Sequence, residues 1–246
     1  MEVAVISEKG ISLEMEDAHF LDLNFANKGW TFGGVYDGHG GRFAAKYASE
    51  RVHQIFLERI LSGVSPQEAF IETYEAISED LKTQDSGTTA VNFLIKDRDL
   101  FTANAGDARA ILITNEGFHQ LTVDHRLDNL AERQRVKKMG GDIRYPYACR
   151  GYQGLMPTRT IGDQYFKSIG IIATPSVSEY KISEKDLILL VACDGLFDVM
   201  SNEEAAGLAR KFPEPEPLLE VLKNEVLINR SGTDNLTIIA ASLQAS

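Results

Sequence analysis

The chain of 246 residues is poor in the residues that support disulfide-rich, zinc-bound or membrane-spanning folds. Its two cysteines, Cys149 and Cys193, match no metal-ligand spacing, which excludes a disulfide scaffold and a zinc finger. No apolar run approaches the roughly 18–20 residues that cross a bilayer, and the first residues lack the basic flank and apolar core of a secretory signal. Lysine and arginine number 25 against 36 acidic residues, and a net charge of −11 argues against nucleic-acid binding. We therefore expect a cytoplasmic protein with no membrane and no nucleic-acid partner.

The sequence shows no sign of a second domain. No segment repeats at a period of 20–50 residues, and none is low in complexity. The one proline-dense stretch, Pro213–Pro217, is too short for a domain linker and is typical of a break between two helices. Residues 1–246 are therefore predicted to form a single domain, which we expect to be a monomer.

Hydrophobic periodicity separates predicted strands from predicted helices. Strands are predicted at Val3–Ser7, Thr31–Tyr36, Thr88–Lys96, Leu100–Ala105, Ala108–Thr114, Leu187–Cys193 and Leu236–Leu243. Helices are predicted at Arg42–Leu61, Pro66–Leu81, Asn129–Met139, Asn202–Lys211 and Pro217–Asn229, the second with Ser65 as its N-cap. Strands and helices occur in separate runs rather than in alternation, which indicates an α+β fold. The order favours a four-layer α/β/β/α sandwich, in which helices flank two packed antiparallel sheets.

Five short acidic motifs stand out: three lie at the ends of predicted strands, and three touch a glycine. They are Glu16-Asp17, Asp37, Asp163, Asp194 and Asp234-Asn235. A carboxylate at the end of a buried strand is costly unless it is paired or bound to a metal, and no basic residue lies within three positions of Asp194. If the acids converge, cations other than lysine and arginine have to neutralise them, and magnesium or manganese suits an all-oxygen site. The residues alone leave two alternatives: a divalent metal site, or a set of ordinary Asp-Gly turns.

Eight motifs, taken in order, resemble the metal-dependent serine/threonine protein phosphatases, known as the PPM or type 2C family. They cover about residues 10 to 240 and are Glu14–His19 (EMEDAH), Val35–Gly41 (VYDGHGG), Ser86–Ala90 (SGTTA), Asn104–Arg109 (NAGDAR), Asp124-His125, Gly154-Leu155 with Arg159–Asp163 (RTIGD), Cys193–Met200 (CDGLFDVM) and Asp234–Thr237 (DNLT). The resemblance implies a signalling enzyme that hydrolyses phosphoserine and phosphothreonine in phosphoprotein substrates. It further implies that a metal-activated water attacks phosphorus directly, without a phosphoenzyme.

The resemblance also implies two divalent metal ions, manganese or magnesium, and a third ion that binds more weakly. Asp37 would bridge the first two ions and so take part in catalysis, and the Gly38 carbonyl would bind one of them. Asp163 and Asp194 would hold the first metal. The two ions would lower the pKa of a shared water and clamp an in-line displacement at phosphorus.

The remaining implied roles lie around these ligands. Glu16 would support the second metal through water, and Asp17 would orient the waters. Asp124 would help to hold the third metal. Asp234 would be a ligand or would accept a hydrogen bond beside one. His39 would act as the general acid that protonates the departing serine or threonine oxygen.

One departure from the family pattern is Ser12, which stands where family members carry an arginine that grips the substrate phosphate. A hydroxyl cannot replace the bidentate fork of an arginine, so weak phosphate affinity is expected unless Lys9 or Arg42 reaches in. This departure leaves open a pseudophosphatase, meaning the same fold used as a regulatory binding module. A hydrolase of small phosphate esters is a third alternative. The aromatic segment Tyr145–Gly154 falls at the family's flap beside the active site, or is a plain surface loop.

Overall fold

Two five-stranded antiparallel sheets stack face to face in the computed structural model, which describes residues 1–244. In chain order the strands are β1 (Val3–Glu8), β2 (Ala18–Phe25), β3 (Trp30–Tyr36), β4 (Gly38–His39), β5 (Gly87–Thr88), β6 (Ala90–Lys96), β7 (Asp99–Ala105), β8 (Arg109–Thr114), β9 (Phe118–Gln120), β10 (Asp142–Arg144), β11 (Tyr147–Arg150), β12 (Gln153–Leu155), β13 (Ile161–Gly162), β14 (Ser176–Lys181), β15 (Asp186–Ala192) and β16 (Leu236–Ser242). The helices are α1 (Phe43–Leu61), α2 (Pro66–Asp80), α3 (Leu130–Lys138), α4 (Gln164–Lys167), α5 (Asp194–Phe197), α6 (Asn202–Lys211) and α7 (Pro215–Asn224), and Glu225–Asn229 form a π-helical segment.

The layers follow from which faces are apolar. One sheet has the strand order β1-β16-β15-β8-β9, and the other has the order β14-β7-β6-β3-β2. Their facing sides form a common core that includes Val35 and Phe93 from one sheet and Val191 and Ile239 from the other. Helices α1 and α2 cover the outer face of the second sheet, while α6 and α7 cover the first. This arrangement confirms the predicted α/β/β/α sandwich.

Most predicted elements agree with the structure to within a few residues, and the differences have local causes. The predicted strand Thr88–Lys96 divides into β5 and β6, because the Thr89 amide donates to the Asp37 carbonyl and the chain changes sheets there. Strand β14 was not predicted, since it lies at a sheet edge and alternates polar residues on a partly exposed surface. The Tyr145–Gly154 segment contains strand β11 and most of β12, in a small three-stranded sheet with β10.

Helices α2 and α3 each begin with a residue whose side chain caps the first turn, and the Ser65 cap was predicted. The Ser65 side chain accepts a hydrogen bond from the Glu68 amide at the start of α2, and Asn129 caps α3 in the same way. Among residues 1–244, no helix combines the length and the apolar character that crossing a membrane requires.

Candidate metal centre

The ends of strands from both sheets meet at one edge of the sandwich, and this brings the acidic motifs together. In the second sheet, Ala18 at the start of β2 pairs with Tyr36 at the end of β3. Asp17 and Asp37, the residues just outside this pair, therefore lie side by side. In the first sheet, Ala192 at the end of β15 pairs with Arg109 at the start of β8. Consequently Asp194 and Asp107 reach the same edge.

Asp17, Asp37, Asp107 and Asp194 form what we call the acidic cluster. Desolvation, followed by the charges of Asp194, Asp17 and Asp107, raises the pKa of Asp37 well above its usual value. Burial and the charges of Asp107 and Asp198 raise the pKa of Asp194 to about 8, although Arg126 opposes the shift. Burial raises the pKa of Asp17 to about 6. The cluster therefore holds more negative charge than its protein surroundings neutralise.

Arg126 is a basic residue in contact with the acidic cluster that the sequence motifs did not predict. Its Nε donates to Asp107 Oδ2 at 2.6 Å, and its Nη2 donates to Asp194 Oδ2 at 3.0 Å. The expectation that only cations other than lysine and arginine neutralise the acids is thus wrong for Asp194. Arg126 lies 68 residues from Asp194 in sequence, so proximity along the chain gave no signal. Asp107 was also missed as a site residue, although it closely follows strand β7 and adjoins Gly106.

The loop that carries Glu16 is fastened to the cluster by two sets of hydrogen bonds. Glu16 Oε1 accepts from the Gly41 amide at 2.6 Å. The Asn235 side chain accepts from the Glu16 amide at 2.8 Å and donates to the carbonyls of Lys9 and Glu14. The Asn235 backbone amide also donates to Asp234 Oδ1 at 2.7 Å, so this residue connects the loop of Glu16 to Asp234.

A small three-stranded sheet, β4-β5-β13, positions His39 and Asp163. Gly87 of β5 pairs with His39 on one side and with Gly162 on the other. The Asp163 carboxylate lies directly over Gly87, where an added Cβ would stand 2.0 Å from Asp163 Oδ2. Asp163 itself has a left-handed backbone with φ of 52°, a conformation that is uncommon for a residue other than glycine and that often marks functional sites.

His39 Nε2 lies 2.7 Å from Asp163 Oδ2. Burial lowers the pKa of His39, but the hydrogen bond and charge of Asp163, with the charges of Asp107 and Glu16, outweigh that effect and raise it. The imidazole is therefore held in a fixed orientation and is more readily protonated than a free histidine.

The two outlying predicted ligands have different surroundings. Asp124 accepts from Arg109 with both oxygens, at 3.1 and 2.5 Å, and Arg109 in turn donates to Asn202. Asp234 is exposed and accepts from the Asn235 amide, while its charge still acts on Asp17 and Asp194. Asp124 is thus engaged by a cation, and Asp234 lies at the rim.

The chemistry of the donors fits hard divalent cations. All side-chain donors of the acidic cluster are carboxylate oxygens, the ligands that magnesium and manganese prefer. Asp17 Oδ2 is buried and has no hydrogen-bond partner, which leaves an oxygen available to a cation or to water held by one. Within residues 1–244, no three acidic, histidine or cysteine side chains converge closely enough to share one ion. Side chains of the acidic cluster would therefore have to rotate to bring three donors onto one ion.

An open cleft of about 890 Å³ adjoins His39 and Asp163. Tyr152 of the β11–β12 turn, Gln153 of β12 and Tyr165 of α4 also line it. Arg150 stacks on the Tyr165 ring at 4.3 Å and donates to the Tyr165 carbonyl, so its guanidinium ties the flap segment to α4.

Comparisons with known proteins agree with these features. The family model described as "Protein phosphatase 2C" matches residues 1–234. The chain is 32% identical to "Protein phosphatase 2C homolog 1" of Saccharomyces cerevisiae, over 93% of the chain and 88% of the yeast protein. It is 30% identical to "Protein phosphatase 1A" of Homo sapiens, over 95% of the chain and 68% of the human protein. The solved serine-threonine phosphatase 2C of Toxoplasma gondii superposes with a TM-score of 0.82 at 22% identity, covering 98% and 94% of the two chains.

Replacing Gly87 by alanine is expected to displace Asp163, because the new Cβ overlaps its carboxylate. His39 then loses the partner that raises its pKa, so its titration midpoint falls. NMR titration of the histidine rings in metal-free protein measures this. Gly207→Ala in α6, where an added Cβ meets no atom within 4 Å, is the matched control and should stabilise its helix by roughly 0.5–1 kcal/mol. An unchanged His39 midpoint in Gly87→Ala would contradict the assigned contact.

The metal-free protein is expected to lose stability as the pH rises from 6.5 to 8.5. Asp194, with its pKa raised to about 8, binds a proton in the folded state that the unfolded chain has already released. The native state therefore binds more protons over this range, and the free energy of unfolding falls with pH. Buried His125, whose pKa is lowered to about 3, acts in the opposite direction near pH 6.5, where the unfolded chain still binds part of a proton, so the decline is read from about pH 7.5 upward.

Thermal unfolding in a chelator measures this dependence. The Tm should drop by several degrees across the range, and Asp194→Asn should reduce the slope. Saturating manganese should flatten the curve, since the ion replaces the proton as the counter-charge. A metal-free Tm that stays constant or rises with pH would be inconsistent with the described acidic cluster.

Proposed function

The chain belongs to the protein phosphatase 2C family, and we propose that it hydrolyses phosphoserine and phosphothreonine in proteins at a two-metal centre built on the acidic cluster. Family membership makes it a protein serine/threonine phosphatase. The observation that carries the metal proposal is the excess of buried carboxylate charge around Asp37, together with the unpartnered oxygen of Asp17.

Some of the proposed residues would bind the ions directly, and others would act through water. Asp37 and Asp194, with the Gly38 carbonyl and Asp163, would hold the ions, and Glu16 would act through water. Bound manganese or magnesium would lower the pKa of a water and neutralise charge on the phosphate. Asp17 Oδ2, which has no other partner, is suited to orient that water.

A third, weaker ion would bind near Asp124. Because Asp124 already gives both oxygens to Arg109, an ion there has to compete with an existing ion pair. This competition is consistent with weak binding at that position. Asp234 is exposed and accepts only from the neighbouring Asn235 amide, so we assign it a supporting role at the rim.

His39 is proposed as the general acid. Its raised pKa favours the protonated ring near neutral pH. Asp163 holds the Nε2–H of that ring, which leaves the Nδ1 proton for the departing serine or threonine oxygen. A fixed acid of this kind avoids release of a strongly basic alkoxide.

The site has a serine, Ser12, at the position where family members carry the arginine that binds the substrate phosphate. Ser12 Oγ donates to the Thr233 carbonyl at 3.3 Å, so this residue supports a loop and supplies no positive charge. Arg42 is exposed next to Gly41, whose amide binds Glu16. We propose Arg42 as the cation that meets the substrate phosphate, in preference to Lys9.

The same departure supports a second candidate, a pseudophosphatase in which the fold serves as a binding module. Ser12→Arg separates the two. A large gain in turnover would indicate a weakened phosphate grip in an active enzyme, whereas no activity in either form would favour the binding module.

The activity is tested with purified chain, manganese and a phosphothreonine peptide. Asp37→Asn should abolish hydrolysis of the peptide and of p-nitrophenyl phosphate. His39→Asn should slow peptide hydrolysis by about 10²–10⁴-fold but affect p-nitrophenyl phosphate much less, because nitrophenolate needs no proton to leave. Arg144→Met, at an exposed ion pair, is the control that should retain activity. Hydrolysis that persists in a chelator, or that survives Asp37→Asn, would overturn the proposal.

A further inference from the structure

Arg126 uses every nitrogen of its guanidinium on a different carboxylate. Nε donates to Asp107 at 2.6 Å, Nη1 lies 2.9 Å from Asp198 Oδ1, and Nη2 lies 3.0 Å from Asp194 Oδ2. Asp107 is 2% exposed in its side chain and Asp198 is 48% exposed, so the guanidinium spans from the interior to the rim. One cation therefore links a proposed metal ligand to two acids that are assigned no metal.

The backbone that carries Arg126 is firmly held. The neighbouring His125 donates its amide to the Gly106 carbonyl, and its Nδ1 accepts from the Gly106 amide. His125 Nε2 also lies 2.5 Å from Ser176 Oγ, and its carbonyl accepts from the Thr158 amide. These contacts fix the point from which the Arg126 side chain extends toward the cluster.

The Arg126 guanidinium and a bound ion would compete for the same carboxylate, that of Asp194. Asp194 Oδ2 is engaged by Arg126, and an ion bound by Asp194 has to share that carboxylate with a fixed positive charge. Without ions, Arg126 is the cation that offsets the buried charges of Asp107 and Asp194. The same residue therefore favours the metal-free state over the metal-loaded state.

We propose that Arg126 is an internal counter-cation that stabilises the metal-free acidic cluster and lowers its affinity for divalent ions. It is a positioning residue, since it acts through Asp194 and contacts neither the substrate nor the reacting atoms. The consequence is a centre that folds without metal and exchanges its ions readily. This inference rests on the proposed metal centre, whose failure the experiment below distinguishes.

The test compares Arg126→Met with wild type by calorimetric titration of manganese and by thermal unfolding in a chelator. Loss of the charge should lower the metal-free Tm by several degrees, because buried carboxylates lose their partner. It should also tighten manganese binding about tenfold or more, because the ions no longer meet a competing cation. Arg126→Lys keeps the charge but loses the three-way fork, so its Kd should lie between those of wild type and Arg126→Met. Arg144→Met should change neither quantity.

Manganese binding by Arg126→Met that is unchanged or weaker would overturn the inference, as would an unchanged metal-free Tm. If Arg126→Met does not fold, Arg126→Gln removes the charge while keeping hydrogen bonds, and the same criteria apply to it. If wild-type protein binds no manganese, the proposed metal centre itself fails. If wild type binds manganese, Asp37→Asn abolishes binding and Arg126→Met does not tighten it, only the Arg126 inference fails.

Discussion

Mutual repulsion among buried carboxylates is the constraint on which the site depends. Asp17, Asp37, Asp107 and Asp194 are brought to one edge because strands of both sheets begin or end there. Isolated charges of one sign in such surroundings are strongly unfavourable, so protons, a fixed cation or metal ions have to offset them. The raised pKa values and the Arg126 contacts are two of these three responses. The proposed metal ions are the third.

The sandwich fold holds these carboxylates close together despite their mutual repulsion. The shared core around Val35, Phe93 and Ile239 fixes the two sheets relative to each other, so strand ends from distant parts of the chain meet in a set geometry. The small β4-β5-β13 sheet extends the same edge and holds His39 against Asp163. Structure and proposed chemistry are thus connected through backbone pairing, which positions acids and histidine before any ion or substrate binds.

Local signals predicted much of the fold from the sequence alone. The Ser65 cap and the apolar run Leu187–Cys193 predicted their elements because capping and burial on both faces leave a direct mark in the residue pattern. Edge strands such as Ser176–Lys181 left no such mark, because both faces are partly polar. Arg126 could not be placed, since its role arises from a contact 68 residues away. The motifs predicted Asp17 and Asp194 near Asp37 but missed Asp107, and the ligand set itself stays a prediction.

Anomalous diffraction from crystals grown with manganese would show whether the acidic cluster binds ions. Anomalous peaks are expected within about 2–2.5 Å of carboxylate oxygens of Asp37 and Asp194, with Asp163 oriented toward one of them. Manganese density that is absent from the acidic cluster at saturating concentration, or that lies only at unrelated surface carboxylates, would contradict the proposed metal centre.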